Sequence, residues 1–291
     1  MVQSAPDFLQ MVQKTVYRMT QGGELPGSKA DAGRVLTWAP GRGLVPCAHE
    51  DDPLLIADSW LVFDGRVRGL DRHRQRFFRA CIEVAGIPQD HLHAFWRATV
   101  RELPRHERWF PRVELTARPR TELRLRIRPA PPQGAAVRLW VWDGPDPRIA
   151  PRRKGPDLVR LVEVRRHAST AGADEALLTT RSGLVLEATN SSVLWWEGPC
   201  LCMPSPGLRV LPGVTADLIQ ESAARFGTRM GHRRRRVPDL DGCEVWLVNA
   251  LHGIRTVSTW VGTSVVAGPA LRAPEWQARL EACAEPLPEH G

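Results

Sequence analysis

Proline and glycine are concentrated between Gly144 and Pro156, and this cluster constrains the fold of the chain more than any other feature. Both residues interrupt helices and central strands, so a change from one folding unit to another is expected there. The 291 residues are also enough for two hydrophobic cores, because a single domain typically has about 150 residues. The sequence therefore predicts an N-terminal extension over residues 1–32, a small domain over 33–148 and a larger domain over 149–291.

The spacing of apolar residues predicts secondary structure on both sides of the cluster. The apolar run 54–63 meets an Asp64-Gly65 turn and predicts a β-hairpin, and an apolar stripe over 70–86 predicts a helix. Helices are also predicted over 157–172 and 214–226, and strands over 112–116, 122–128, 136–142, 175–180, 184–186, 192–196, 245–248 and 255–261. These elements predict an α+β fold, in which a small α+β domain is joined to a larger, strand-rich domain with helices packed outside.

The composition argues against several kinds of partner. No apolar run approaches the roughly 18 to 20 residues of a membrane helix, so a cytoplasmic protein without membrane contact is expected. The formal net charge is +8, but the basic residues are spread along the chain. The run Arg233–Arg236 is more typical of a solvated edge than of a nucleic-acid-binding face. The six cysteines lack metal-site spacing, so no metal is expected, and Cys200 and Cys202 are predicted to be buried thiols.

Lysine is rare in this chain and occurs only at Lys14, Lys29 and Lys154. Arginine supplies nearly all the other basic charge, but only lysine can lose its proton near neutral pH and act as an amine nucleophile. Lys154 lies at the start of a predicted helix, where the two predicted domains meet. Taken alone, a lysine in a loop is more often a solvated residue. The position of Lys154 between the two predicted domains makes it a candidate amine nucleophile.

Three further segments carry residues that are suited to a charged ligand. Glu187 closes an apolar strand, so its carboxylate is expected to be partly buried and to need a cationic partner. The segment 211–215, Leu-Pro-Gly-Val-Thr, leads into a helix whose unpaired N–H groups favour an anion. His73 and Arg76 share one helix face, from which a guanidinium could bind a phosphate. Each pattern is also common without a ligand.

Taken in order, these segments, together with 246–254, resemble the signature set of the fold-type IV pyridoxal 5'-phosphate (PLP) enzymes. The resemblance extends over about residues 54–261. This family includes branched-chain aminotransferases, D-amino-acid aminotransferases and 4-amino-4-deoxychorismate lyases. The resemblance implies PLP as the cofactor and a two-domain homodimer-forming fold, with a small N-terminal α+β domain and a larger, β-barrel-like C-terminal domain that binds PLP.

The resemblance also implies roles for individual residues. Lys154 resembles the lysine that forms a Schiff base with the cofactor, and Glu187 resembles the carboxylate that pairs with the pyridine nitrogen. Arg76 resembles the phosphate-binding arginine, and Leu211 resembles the apolar residue that packs on the cofactor ring. The phosphate cup is expected at Gly213, Val214 and Thr215, and further cofactor contacts are expected at Asn249 and Ala250.

The reaction depends on less distinctive segments. Residues 249–251, Asn-Ala-Leu, look most like the lyase form of the last motif, and 56–61 departs from the Gly-Asp-Gly-x-Phe-Glu-like segment of many aminotransferases. The favoured reaction is conversion of 4-amino-4-deoxychorismate to 4-aminobenzoate and pyruvate, a step of folate biosynthesis. The alternatives are an aminotransferase for D- or branched-chain amino acids and a catalytically silent binding relative. The substrate is expected to be a small molecule with an amino group, and candidate ligands for its carboxylates are Arg112, Arg124 and His252.

Overall fold

A computed structural model describes residues 33–47, 52–117 and 121–289 of the chain. The predicted extension over residues 1–32 lies outside the described residues. The described elements before the proline-rich cluster are, in chain order, β1 (Arg34–Ala39), β2 (Gly43–Pro46), β3 (Leu54–Ser59), β4 (Val62–Phe63), β5 (Arg66–Arg68), α1 (Leu70–Ala85), α2 (Gln89–Glu102), β6 (Arg108–Trp109), β7 (Arg112–Thr116), β8 (Glu122–Ile127) and β9 (Ala136–Val141).

An antiparallel sheet with the strand order β2-β1-β8-β7-β3 forms the framework of the first half. Alternate residues of β8, namely Leu123, Leu125 and Ile127, enter the hydrophobic core. The same core contains Phe77 of α1 and Phe95 of α2, both fully buried. Because side chains alternate along a strand, the arginines between the core residues of β8 belong to the opposite face of the sheet.

The strand predicted over 54–63 is divided in the structure. β3 belongs to the five-stranded sheet, whereas β4 pairs with β5 across the predicted turn in a separate sheet, in which β6 lies on the other side of β4. Asp64 and Gly65 have positive φ angles of 45° and 71°, as a tight hairpin turn requires. The turn is confirmed, but the prediction of one continuous strand was wrong. The strand breaks at Trp60, whose fully buried ring packs against Trp96 with 5.2 Å between the ring centroids.

The second half carries the larger sheet. Its described elements are α3 (Leu158–Thr170), β10 (Glu175–Thr179), β11 (Val185–Ala188), β12 (Ser192–Glu197), β13 (Cys200–Pro204), α4 (Val214–Arg225), β14 (Met230–Arg233), a 3-10 helix (Val237–Leu240), β15 (Val245–Asn249), β16 (Gly253–Val261), α5 (Ala273–Ala282) and β17 (Ala284–Pro286). No helix of the described ranges is both long and apolar enough to cross a membrane.

An eight-stranded mixed sheet in this half has the order β11-β10-β9-β16-β15-β12-β13-β14. Trp246 of β15 shares a core cluster with Ile219 of α4 and Trp276 of α5. Trp195 of β12 and Leu247 of β15 belong to a separate buried cluster. Both faces of the sheet are thus covered, and helices pack outside a strand-rich unit. The α+β fold class is confirmed.

Two strands connect the halves in a way that the sequence did not predict. β9 precedes the expected division at residues 148 and 149, yet it pairs in parallel with β10 and β16 of the larger sheet. β17, near the end of the described chain, pairs with β5. The domain boundaries over 33–148 and 149–291 stay a prediction. At β9 and at β17, a strand from one predicted domain pairs with strands of the other.

Cys200 and Cys202 are buried on β13, with their sulfur atoms 3.7 Å apart. The prediction that both are buried thiols is confirmed. Burial raises the pKa of Cys202 to about 12, and a hydrogen bond with Cys200 acts in the same direction. At neutral pH this thiol therefore keeps its proton.

Candidate active site

A cavity of about 620 Å³ brings together residues from both halves of the described chain. This volume lies within the range of small-molecule binding sites. The cavity is lined by all nine residues that were expected to contact a cofactor, namely Arg76, Lys154, Glu187, Leu211, Gly213, Val214, Thr215, Asn249 and Ala250.

The backbone beside Lys154 lies directly against β3. The carbonyl oxygen of Lys154 accepts a hydrogen bond from the N–H of Ala57 at 2.8 Å. Gly155 follows with a φ of 131°, and a Cβ at this position would lie 2.6 Å from the nitrogen of Ala57. Only glycine therefore allows the loop to approach the strand this closely.

Asp157 fixes the loop from its other end. Asp157 is the first residue of the helix predicted over 157–172. In the structure it makes no capping hydrogen bond to α3, and it is buried. It accepts hydrogen bonds from the N–H groups of Ile149 and Ala150, each at 2.9 Å. Asp157 thus closes the loop that carries Lys154.

The side chain of Lys154 is placed among both positive and negative groups. Burial lowers the pKa of its amine from 10.5 to about 8, and the charges of Arg76 and Arg112 act in the same direction. Asp58 and Glu187 oppose this change. Its Nζ atom forms no hydrogen bond or ion pair with another described residue. An amine of this kind is available as a nucleophile and as a base near neutral pH.

Arg76 is held in place by a buried carboxylate. Its Nε and Nη2 atoms each donate a hydrogen bond to Asp58 at 2.8 Å, and Nη1 donates to the carbonyl oxygen of Pro212 at 2.8 Å. The Nδ1 atom of His73 lies 2.8 Å from the same carboxylate. Burial alone would raise the pKa of Asp58, but the charge of Arg76 and the contact with His73 hold it well below its ordinary value. The guanidinium is therefore fixed beside the start of α4.

Asp58 was not predicted as the partner of Arg76. The available signal was an acidic residue within the strongly apolar run 54–63. A carboxylate in such a run is buried when the strand is buried, and then it needs a positive partner.

Glu187 is 8% exposed and has two partners. Its Oε2 accepts a hydrogen bond from the N–H of Leu211 at 2.9 Å, and its Oε1 is bound by Arg148. Burial raises the pKa of Glu187, and the positive charge of Arg148 opposes this change. Arg148 is itself held by Asp146, with two contacts of 2.8 Å. The sequence predicted that Glu187 needs a cationic partner, but it did not identify Arg148.

The start of α4 offers backbone donors to the cavity. Gly213 occupies the cap position, and no side chain caps the helix. The first N–H groups, at Val214 and Thr215, have no partner within the helix because they precede its first full turn. A Cβ at Gly213 would lie 2.5 Å from the Oγ of Ser192, so this approach requires glycine. Together with Arg76, this helix start forms a site for an anionic group.

Asn249 shapes the turn between β15 and β16. Its Oδ1 accepts hydrogen bonds from the N–H groups of Leu251 and His252, at 3.1 and 2.8 Å. Its Nδ2 donates to the Oγ of Ser191 at 3.1 Å. These bonds hold the turn, including Ala250, against the cavity.

The three candidate substrate ligands differ in position. Arg112 and His252 line the cavity, whereas Arg124 does not. The side chain of Arg124 is 1% exposed and forms ion pairs with Asp52 and Glu122. We therefore remove Arg124 from the candidates, because it does not reach the cavity. Burial lowers the pKa of His252 to about 4, so this ring is neutral at pH 7.

The donor set fits PLP. Lys154 supplies a free amine for an aldehyde, and Glu187 supplies a buried carboxylate for a ring nitrogen that carries a proton. Arg76 and the start of α4 supply donors for a phosphate. These three functions correspond to the three polar ends of PLP.

Residues 55–260, more than half of the chain, match the family model described as amino-transferase class IV. A bifunctional aminodeoxychorismate lyase / D-amino acid transaminase from Mycobacterium tuberculosis (strain ATCC 25618 / H37Rv) is 27% identical over 249 residues. The match covers 71% of this chain and 83% of that relative.

Solved structures show the same fold. A hypothetical aminotransferase from Mycobacterium tuberculosis, in its PLP-bound form, has a TM-score of 0.72 at 23% identity, covering 86% of this chain and 98% of that one. A branched-chain aminotransferase from Thermoproteus uzoniensis has a TM-score of 0.71 at 17% identity, covering 88% of this chain and 100% of that one. The expected fold-type IV architecture is confirmed.

Proposed function

Because this chain belongs to the class IV aminotransferase family, we propose that it converts 4-amino-4-deoxychorismate to 4-aminobenzoate and pyruvate. The chain is a PLP-dependent enzyme. The observation that carries the proposal is a lysine with a lowered pKa, in a cavity where Glu187 and Arg76 are also present. The relative from Mycobacterium tuberculosis has lyase as one of its two activities, and the Asn-Ala-Leu segment 249–251, which looks most like the lyase form of the last motif, favours the lyase reaction.

Different residues of the cavity would hold different parts of PLP. Arg76 and the N–H groups at the start of α4 would hold the phosphate, and Glu187 would hold the ring nitrogen and favour its protonated form. When bound, PLP supplies an electron sink for the electron pair that remains when a substrate carbon loses its proton. Burial raises the pKa of Glu187, and the ion pair with Arg148 opposes this change and so favours the charged carboxylate.

Lys154 moves the proton. Its Nζ removes the proton from the ring carbon that carries the amino group. The bond between the neighbouring ring carbon and the ether oxygen then breaks, and the enolpyruvyl group leaves. The released enol takes up a proton to become pyruvate, and the ring becomes aromatic. The atoms of the substrate are all found in the two products, so no oxidant or reductant is needed.

The charge of the cavity suits this substrate. 4-Amino-4-deoxychorismate carries two carboxylates, and Arg112 remains a candidate ligand because it lines the cavity near Lys154. His252 can contribute a hydrogen bond but no positive charge at pH 7, since its pKa is about 4.

The second candidate function is transamination of D-amino acids. It is favoured by the second activity of the relative from Mycobacterium tuberculosis. Branched-chain amino acids are the further alternative within the family. The same residues serve both kinds of reaction, because each begins with removal of a proton by the lysine. In the lyase reaction the substrate then loses a leaving group. In transamination its amino group is transferred to a keto acid.

The direct test is to incubate the PLP-loaded protein with 4-amino-4-deoxychorismate and to measure 4-aminobenzoate and pyruvate. We expect both products in equal amounts. A lack of both, with transfer of the amino group of D-alanine or leucine to 2-oxoglutarate, would show the aminotransferase instead. A protein that neither turns over these substrates nor develops the visible absorbance of lysine-bound PLP would be the silent relative.

A further inference from the structure

A buried ion pair in the wall of the cavity has no part in the reaction proposed above. Glu175, at the start of β10, and Arg255, on β16, are 2% and 6% exposed, and both line the cavity. The Nη2 atom of Arg255 donates a hydrogen bond to the Oε1 of Glu175 at 2.9 Å. Strand β9 lies between β10 and β16, so the pair joins two strands that are not neighbours. Because removing both charges from water is costly, the effect of such a pair is to be sought in the groups that it orders.

Ser191 connects this ion pair to residues 250–252, which form the β15–β16 turn. The same Nη2 atom of Arg255 donates to the Oγ of Ser191 at 3.3 Å, and the Nδ2 of Asn249 donates to that oxygen at 3.1 Å. Ser191 is itself buried. A hydroxyl oxygen accepts two hydrogen bonds, so both acceptor positions are occupied. One buried oxygen thus links the arginine of β16 to the last residue of β15.

The side chain of Asn249 is used entirely inside the protein. Besides Ser191, its Nδ2 donates to the carbonyl oxygen of Asn190 at 3.3 Å. Its Oδ1 accepts the N–H groups of Leu251 and His252. An amide side chain offers two donors and two acceptors, and all four are taken here. The side chain of Asn249 therefore serves to hold the β15–β16 turn against the cavity.

We propose that Glu175 is a positioning residue, which acts on the substrate through Arg255 and Ser191. This chain of contacts fixes Asn249 and so the β15–β16 turn, which forms one wall of the cavity. Its effect on turnover rests on the proposed function, because the substrate occupies the same cavity, whereas its effect on the order of the turn does not. A wall that is ordered before the substrate arrives loses little freedom on binding.

Hydrogen exchange of the PLP-loaded protein, followed by NMR, measures the order of the turn. The reporters are the N–H groups of Leu251 and His252, and the amides of the β15–β16 ladder are the internal reference. We expect Ser191→Ala to raise exchange of both reporters about 10-fold relative to the ladder, because it removes one buried acceptor. Glu175→Gln should raise it about 10- to 100-fold, since it leaves Arg255 without its carboxylate.

The two variants should not act independently. Both break the same chain of contacts, so the double variant should exchange little faster than Glu175→Gln alone. Additive effects would overturn the inference. Ser191→Thr keeps the hydroxyl and should exchange as the wild type does. If Glu175→Gln does not fold, Ser191→Ala keeps the test possible, because it preserves the ion pair.

Glu244→Gln is the matched control for Glu175→Gln. Glu244 is 4% exposed, lies before β15 and outside the cavity, and accepts backbone N–H groups at the start of α5. This variant removes an equally buried carboxylate charge and should leave the exchange of the turn unchanged relative to the ladder. Ser258→Ala removes a hydroxyl elsewhere on β16 and is the control for Ser191→Ala. Equal effects of variant and control would overturn the inference.

Turnover separates a positioning role from a merely structural one. We expect Ser191→Ala and Glu175→Gln to raise the KM for 4-amino-4-deoxychorismate about 10-fold and to change kcat much less, because a loosened wall weakens binding. An open turn with an unchanged KM would overturn the inference. A turn that opens in both variants of a protein without lyase activity would leave the positioning role standing and reject the reaction. Lyase activity with a turn that stays closed in both variants would do the reverse.

Discussion

The protonation of Lys154 depends on groups that are distant in the sequence. Asp58 and Arg76 come from β3 and α1, and Glu187 comes from β11, yet all three influence the same amine. Burial and the nearby guanidinium outweigh the two carboxylates, so the pKa falls to about 8. A lysine that is merely rare in the sequence thus becomes reactive through its neighbours.

The pH dependence of cofactor attachment follows from this pKa. Below about 8 the amine of Lys154 carries a proton and cannot attack the aldehyde, whereas above it the amine is free. We expect the rate at which the apoprotein attaches PLP to rise with pH and to level off above about 8, instead of near 10.5. Visible absorbance of the attached cofactor measures this rate.

The control for this experiment is Lys154→Arg, which keeps the positive charge and cannot be deprotonated near neutral pH. It should attach no PLP at any pH. A wild-type rate that still rises steeply above pH 9 would contradict the assigned pKa.

Asp58 offers a second test at the scale of single residues. Asp58→Asn keeps the shape of the side chain but removes the charge that holds Arg76. We expect PLP to bind about 10- to 100-fold more weakly, because truncating a buried charge pair costs about 1 to 3 kcal/mol or more. Titration of the apoprotein with PLP measures the change.

Asp71→Asn is the matched control for Asp58→Asn. Asp71 lies on α1, and its side chain is 73% exposed in a pair with Arg74. An exposed pair contributes little, so PLP affinity should stay as in the wild type. Equal effects of the two replacements would show that Asp58 does not position Arg76.

At the scale of elements, the start of α4 depends on a close contact with β12. A methyl group at Gly213 would lie 2.5 Å from the Oγ of Ser192. The φ of Gly213 is −84°, which any residue can adopt, so the restriction comes from space and not from the backbone. The hydroxyl of Ser192 therefore decides which residue can begin this helix.

This contact predicts a pair of variants that compensate each other. Gly213→Ala should weaken PLP binding by about 10-fold, because overpacking of about 1 to 3 kcal/mol displaces the helix start. Adding Ser192→Ala removes the colliding oxygen and should restore most of the affinity. Ser192→Ala alone serves as the control. Equal affinities of the single and double Gly213 variants would show that Ser192 is not the obstacle.

Elements with a regular pattern of apolar residues were predictable, and elements without one were not. The amphipathic elements, such as α1 and β8, were predicted because their side chains alternate with a regular period. The break between β3 and β4 was not predicted, because Leu54–Phe63 is apolar on both sides of Asp58 and Ser59 and has no regular alternation that marks where a strand ends. The helices α2 and α5 were also missed.

At the scale of the whole molecule, one part of the surface stands out for its exposed apolar side chains. Ile149, Val159 and Val162 are 64%, 68% and 65% exposed, and Val162 also lines the cavity. We propose that a second copy of the chain covers this surface, as the resemblance to a dimeric family implies. The three side chains belong to the loop of Lys154 and to α3, so the partner would lie beside the site.

The homodimer predicts a change of mass in solution. We expect light scattering to give the mass of two chains for the wild type. The double variant Val159→Asp, Val162→Asp should shift the protein to one chain, because burying two carboxylates in an interface is costly. Val266→Asp is the control, since Val266 is 63% exposed but lies outside this surface. A wild-type monomer, or a double variant that stays dimeric, would contradict the proposal.

The sequence by itself determined the fold class, the candidate lysine and the segments that surround the cavity. These depend on residue type and on spacing over a few positions, which are local properties. It did not determine which charges are paired. Asp58 meets Arg76 across 18 positions, and Arg148 meets Glu187 across 39.

Only the tertiary structure decided that Arg124 lies outside the cavity, paired with Asp52 and Glu122, while Arg128 lines it. The two arginines belong to the same alternating run of arginines over 124–128 and look alike in the sequence. They differ because the free energy of a buried charge depends on the groups within a few ångströms, and folding chooses those groups from the whole chain.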